Sequence, residues 1–145
     1  MTRAPDAAEA ASMTGGCQCG AVRYRISAPP IALYVCHCLE CRRQSASAFG
    51  MSLIVPGKGY ALTAGVPRHW SRRTDSGRQL DCWFCADCGT RLYHAWPEDD
   101  ATVSVKAGTL DQPVDMGRAI HIWTDRHLPG LDMKGLAEGF PGEPD

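Results

Sequence analysis

Eight cysteines fall into three groups along the chain: Cys17-Gln18-Cys19, then Cys36-His37-Cys38 with Cys41, then Cys82 followed by Cys85-Ala86-Asp87-Cys88. Soft thiolates two or three residues apart can meet on one tetrahedral ion, and two such ions would use about the number of thiolates present. The chemistry depends on how many protein ligands each ion has. Four close a structural site, whereas three leave a position for water or substrate. Cys85-Ala86-Asp87-Cys88-Gly89 has the form of a zinc knuckle, the glycine letting backbone amides turn toward the sulfurs. It needs a partner. Joining it to Cys17 and Cys19 completes one site and staples an N-terminal strand to a later hairpin. Cys36, Cys38 and Cys41 then form a three-thiolate set, the number a reactive zinc site has.

Cys82 has two readings. As a fourth ligand it would close the second set and make it inert; as a small buried hydrophobe it would take no part. Its position three residues before Cys85 on a strand turns the two side chains apart, which favours the buried thiol. His37 lies between two ligands, but neighbours on an extended chain point apart, so it is expected to support the site or face solvent. His94 and His121 occupy predicted strands and are expected to pack or hydrogen-bond. Trp83, Trp96, Trp123 and Phe49 are expected to build core or pocket wall. Arg42 and Arg43 directly follow Cys41. Zinc on three or four thiolates carries net negative charge, so these guanidinium groups are candidates to stabilise it or to attract an anionic substrate.

The elements that must position these groups are short. Residues 1–14 are Ala-rich with scattered charge and no usable periodicity, and read as a disordered extension, with Met13 as an alternative start. Residues 15–145 read as one metal-binding domain. Val22, Tyr24 and Ile26 alternate with Arg23 and Arg25 as in a half-buried strand that Pro29-Pro30 ends. A strand from Ile31 to Val35 delivers the chain to Cys36, and Glu40 to Ala46 forms a short helix carrying Cys41. Further strands are expected over Ala48 to Val55, Tyr60 to Thr63, Arg91 to Ala95, Ala101 to Lys106 and Ala119 to Trp123. A hairpin joins Arg68 to Arg73 with Arg78 to Phe84 through Asp75-Ser76-Gly77. Many short strands with Gly and Pro punctuation and little helix predict an all-β fold.

At 145 residues, 44% hydrophobic and 21% charged, the chain can bury a core and still profit from metal cross-links. No stretch approaches the roughly 18 to 20 apolar residues of a membrane span, and no basic-then-apolar leader opens the sequence. A cytoplasmic protein with reduced thiols is therefore expected, not a disulfide framework. Net charge of −1 gives no footprint for nucleic acid. The local run of Arg68, His69, Arg72, Arg73 and Arg78 reads as a solvated hairpin.

At the cysteine motifs the chain resembles the glutathione-dependent formaldehyde-activating enzyme family, whose domain is shared with centromere protein V. The resemblance rests on Gly16-Cys17-Gln18-Cys19-Gly20 with Val22-Arg23-Tyr24, on Cys36-His37-Cys38 with Cys41-Arg42-Arg43, and on Phe84-Cys85 to Cys88-Gly89-Thr90. It includes His121-Ile122-Trp123 and the Pro-containing tail, and so runs from about Gly15 to Asp145. Cys82 departs from the family pattern. The resemblance implies a β-tent of packed antiparallel sheets with zinc-stapled loops. It implies two zinc ions per chain, a structural one on Cys17, Cys19, Cys85 and Cys88 and a second on the catalytic set Cys36, Cys38 and Cys41.

It further implies a zinc-dependent carbon–sulfur lyase that reversibly condenses a thiol such as glutathione with formaldehyde or a related aldehyde. On that activity Arg42 or Arg43, by its closeness to Cys41 and its charge, is a candidate to bind a glutathione carboxylate through a bidentate contact. The alternative is a non-catalytic zinc module that binds a protein or a thiol adduct. No nucleic-acid or membrane partner is expected on either reading.

Overall fold

The computed structural model describes residues 12–133 and 138–144. The predicted extension lies almost wholly outside them. Strand β1 (Met13–Gly16) pairs with β2 (Arg23–Ile26), Met13 lying opposite Ile26, so regular structure starts before the expected boundary at Gly15. With β5 (Tyr60–Ala64) these strands form a three-stranded sheet in the order β1-β2-β5. Tyr24 and Ile26 are buried and Arg25 is exposed, as the period-two pattern requires.

The second sheet has eight strands. Its members are β3 (Ala32–Cys36), β4 (Gly50–Pro56), β6 (Arg68–Arg73), β7 (Gln79–Phe84), β8 (Arg91–Trp96), β9 (Asp99–Lys106), β10 (Ile120–Ile122) and β11 (Glu138–Gly139). They lie in the order β11-β10-β3-β4-β9-β8-β7-β6. The expectation of antiparallel sheets holds from β3 to β6, but β10 runs parallel to both β3 and β11. A parallel neighbour needs a long return path, which the loop and 3-10 turns between β9 and β10 supply.

Alternate residues of the large sheet face opposite ways. Leu33, Val35, Leu53, Val55 and Val105 enter a core with Tyr24 and Ile26 of the small sheet. Burying such side chains contributes roughly 1.5–3 kcal/mol each. Ring contacts continue this layer, Tyr24 stacked on Tyr60 at 5.2 Å between centroids and Tyr60 tilted against Tyr93 at 4.8 Å. Helix α1 (Leu39–Ser45) is the one α-helix among the described residues, and none is long and apolar enough to cross a membrane. The Cys38 sulfur caps it by accepting from the Cys41 N–H, with Glu40 in its first turn and Arg42 and Arg43 in its last, each placed favourably for the helix dipole.

Candidate metal centres

The fold gathers seven of the eight cysteines into two clusters. The sulfurs of Cys17, Cys19, Cys85 and Cys88 all lie within 4.8 Å of one another, and so do those of Cys36, Cys38 and Cys41. None forms a disulfide. A tetrahedral zinc with sulfur at about 2.3 Å sets its ligands about 3.8 Å apart. The Cys17 and Cys19 sulfurs are separated by 3.6 Å and those of Cys19 and Cys85 by 3.8 Å, so the four-thiolate set fits zinc.

Backbone amides complete that set. Val22 N–H donates to the Cys17 sulfur at 3.2 Å and Asp87 N–H to the Cys85 sulfur at 3.4 Å. The knuckle turns at Gly89, whose φ of +83° a residue with a Cβ adopts at a cost, and its N–H closes on the Cys85 carbonyl at 2.9 Å. Thr90 joins the two halves: its hydroxyl accepts from Gln18 N–H at 3.1 Å and lies 3.2 Å from the Cys88 sulfur. That hydroxyl holds the Cys88 thiol down to about 5. Donors aimed at sulfur favour the thiolate, the form a metal binds.

The second set sits where β3 ends and α1 begins. Cys36 closes β3, Cys38 caps the helix and Cys41 lies in its first turn. Thiol hydrogens from Cys36, then Cys41, converge on the Cys38 sulfur and hold it down to about 2, while the same contacts drive Cys36 upward. Three sulfurs this close, with the thiolate favoured at Cys38, make a donor set suited to a soft cation. No further Cys, His, Asp or Glu joins this set among the described residues. Cys82 is buried in β7, its sulfur 3.9 Å from the Leu80 carbonyl, and burial pushes its thiol up. His37 is also outside the set; it is buried against His121 and Phe49.

All three cysteines of the second set line a cleft of about 670 Å³ on the face of the large sheet opposite the core. Registry builds that face: Tyr34 pairs with Ser52, Ser52 with Lys106, Ser104 with His94, His94 with Cys82, and Cys82 with Trp70. Trp70 and Trp96 supply aromatic wall, and Glu143 and Pro144 of the C-terminal tail reach the same space. Arg43 lines the cleft, whereas Arg42 is not among its lining residues and keeps a buried Nε without a partner.

The Arg68 to Arg78 run forms a hairpin as expected, with Arg68, His69, Arg73 and Arg78 exposed, but two of its arginines also have partners. Arg72 lines the cleft and meets Glu40 of α1 at 3.9 Å, and Arg78 lies over the Trp96 ring at 3.9 Å. Lys106, Arg91, Arg72 and Trp70 were not legible as site residues from the cysteine motifs. A signal for Lys106 did exist: Thr102, Ser104 and Lys106 alternate with Val103 and Val105, a strand with one polar face.

These features define a β protein with two metal-type thiolate clusters, one of four cysteines and one of three opening on a cleft. The family model of the glutathione-dependent formaldehyde-activating enzyme matches residues 12–126, and the chain belongs to that family. The match ends before the Pro-containing tail that the motif resemblance includes. In fold the chain is similar to a crystallised Rhodobacter sphaeroides protein, with a TM-score of 0.52 and 17% identity over 88% of this chain and 99% of the other. At that identity the likeness concerns architecture alone.

Proposed function

We propose that the protein is a zinc-dependent carbon–sulfur lyase that reversibly joins a thiol such as glutathione to formaldehyde or a related aldehyde. Zinc on Cys17, Cys19, Cys85 and Cys88 is structural, and a second zinc on Cys36, Cys38 and Cys41 serves the reaction. The observation that carries this reading is the three-thiolate set on the cleft wall with no fourth ligand among the described residues. Zinc held there would lower the pKa of a thiol and polarise an aldehyde oxygen. In the net reaction the thiol sulfur forms a bond to the carbonyl carbon, the carbonyl π bond breaks, and the thiol proton ends on oxygen. The reverse step returns both partners.

The chain's own groups position those partners. Arg43 reaches the cleft from α1 and is placed to take a carboxylate of the thiol in a bidentate contact. Arg42, beside Cys41, adds positive charge behind the thiolate set. Trp70 and Trp96 give the bound molecule apolar walls that exclude water. A non-catalytic module would be favoured by Cys82 closing the second set, and its place away from that set supports the catalytic reading.

Thiols add to formaldehyde unaided, so the test is acceleration. Exchange NMR on zinc-loaded protein should show glutathione, formaldehyde and their adduct interconverting faster than in the same buffer alone, with the gain lost in Cys38→Ser. An unchanged exchange rate for the wild type would sink the lyase reading while leaving both clusters in place.

A further inference from the structure

The floor of the cleft carries cations that share it with the thiolate set and have no carboxylate partner among the described residues. Lys106 ends β9, is 9% exposed, and donates from Nζ to the Ser52 hydroxyl at 2.9 Å. Its register partner Ser52 pairs in turn with Tyr34, two residues before Cys36, so the ammonium shares a sheet face with the thiolates. Burial pulls the Lys106 amine down to about 8, which leaves it charged at neutral pH. It forms no ion pair with a carboxylate among the described residues.

Arg91 reaches the same floor through a defect in the sheet. Cys82 pairs with His94 and Trp83 with Tyr93, but a bulge between Trp83 and Phe84 then places Arg91 opposite Phe84. Phe84 lies two residues from Cys82 and on its face, so Arg91 joins His94 on the cleft side although the two are three residues apart. An unbroken strand would turn them to opposite faces. Arg91 Nη1 donates to His94 Nε2 at 2.9 Å. Burial first, then the nearby Lys106, Arg91 and Arg72 charges, push the imidazole down to about 2. His94 is thus a neutral acceptor that aims the guanidinium without consuming its charge.

The carboxylates at the cleft are engaged elsewhere. Glu40 faces Arg72, and Glu143 accepts from Trp123 Nε1 at 2.7 Å. A buried ammonium and an oriented guanidinium with no carboxylate are costly unless a ligand brings one.

We propose that Lys106 and Arg91 bind a carboxylate of the thiol substrate, so that the cleft selects acidic thiols over neutral ones; this rests on the thiol–aldehyde reading of the site. Ser52 and His94 are positioning residues that fix the two cations. The dipeptide-sized room of the cleft and its aromatic walls suit a carboxylate several bonds from the sulfur.

Calorimetric titration of zinc-loaded protein with S-methylglutathione and with its dimethyl ester tests this without turnover. The acid should bind at least about tenfold more tightly than the ester. Lys106→Met and Arg91→Gln should each weaken the acid by a similar factor and leave the ester unchanged, while Lys106→Arg should keep the preference. Should Lys106→Met fail to fold, Arg91→Gln and the wild-type pair still decide. Equal affinity for acid and ester, no binding of the acid, or a preference surviving both substitutions would overturn the proposal. Acid-selective binding without accelerated exchange would retain the anion site and sink the lyase; acceleration without acid selectivity would do the reverse.

Discussion

His37 Nε2 and His121 Nδ1 lie 2.9 Å apart in a buried pair that ties the end of β3 to β10. The rings stack at 5.2 Å between centroids, and His37 N–H donates to the Ile122 carbonyl at 3.1 Å. Cys36 and Cys38 face the cleft while the residue between them turns inward, so the histidine anchors the strand end that presents two of the three thiolates. Burial pushes both imidazoles down, which keeps the pair neutral.

Removing one ring should therefore cost more than a surface hydrogen bond. His37 Nδ1 already lacks a partner, and His121→Ala would strand the Nε2 as well. The expected loss is about 2 kcal/mol, read by denaturant unfolding of the zinc-loaded protein. A His37→Phe, His121→Leu double variant should lose less than two independent single losses, because it leaves no buried polar atom behind.

The two clusters should part in a metal assay. Cys85→Ser or Cys88→Ser should lower zinc content and abolish the cooperative thermal transition, since the four-thiolate set ties the β1–β2 connection to the β7–β8 connection. Cys38→Ser should lose zinc from the second set and keep most of the melting temperature. A Cys88→Ser protein that melts like the wild type would remove the structural assignment; collapse of Cys38→Ser would make the second set structural too.

Cys82→Ala should leave zinc content unchanged. Its sulfur contacts the Leu80 carbonyl and stands apart from both clusters, so the change removes a small buried group at a cost of about 1 kcal/mol. Zinc measured by colorimetric chelation after unfolding checks this, and a drop of one ion per chain would identify Cys82 as a ligand.

His94 predicts a pH dependence. Its folded pKa, about 2, lies below the ordinary 6.5, so below pH 6.5 the unfolded chain takes a proton that the folded chain refuses. The stability contribution is present above pH 6.5 and is lost as pH falls from there toward 2. Between pH 6.5 and 5.5 the wild type should lose about 1 kcal/mol more than His94→Gln, whose amide can still accept from Arg91. Paired urea melts at those two pH values, with zinc content checked at each, measure the difference.

Gly15→Ala should test the packing of the small sheet. An added Cβ would run into the Tyr24 hydroxyl and stand 2.5 Å from the Thr109 carbonyl, and Tyr24 is itself held by Thr109 Oγ1 at 2.6 Å. Neither neighbour is the free end of a flexible chain, so a loss of about 2 kcal/mol or more is expected by thermal denaturation.

Much of this protein is written in local sequence. Period-two alternation marked Tyr24 and Ile26 as core and Arg25 as surface, and the spacing of Cys36, Cys38 and Cys41 across a strand end and helix start already placed three sulfurs together. Such signals are legible because a strand alternates its faces and a helical turn brings back residues three apart. The joining of Cys17 and Cys19 to Cys85 and Cys88 could be argued from ligand number, but only the fold brings those sulfurs together.

Tertiary structure decided the rest. The parallel placement of β10 beside β3, which brings His121 to His37, depends on a pairing across many residues that no local period encodes. The cleft floor depends on registry between β4, β9, β8 and β7, and Arg91 reaches it only because the sheet bulges beside it. Residue type and spacing alone fix which side chains could bind metal and which faces could be apolar, because ligand chemistry and strand period are local. They leave to the fold which cations meet the thiolates, because that follows from strand order and register, set by contacts between residues far apart in the chain.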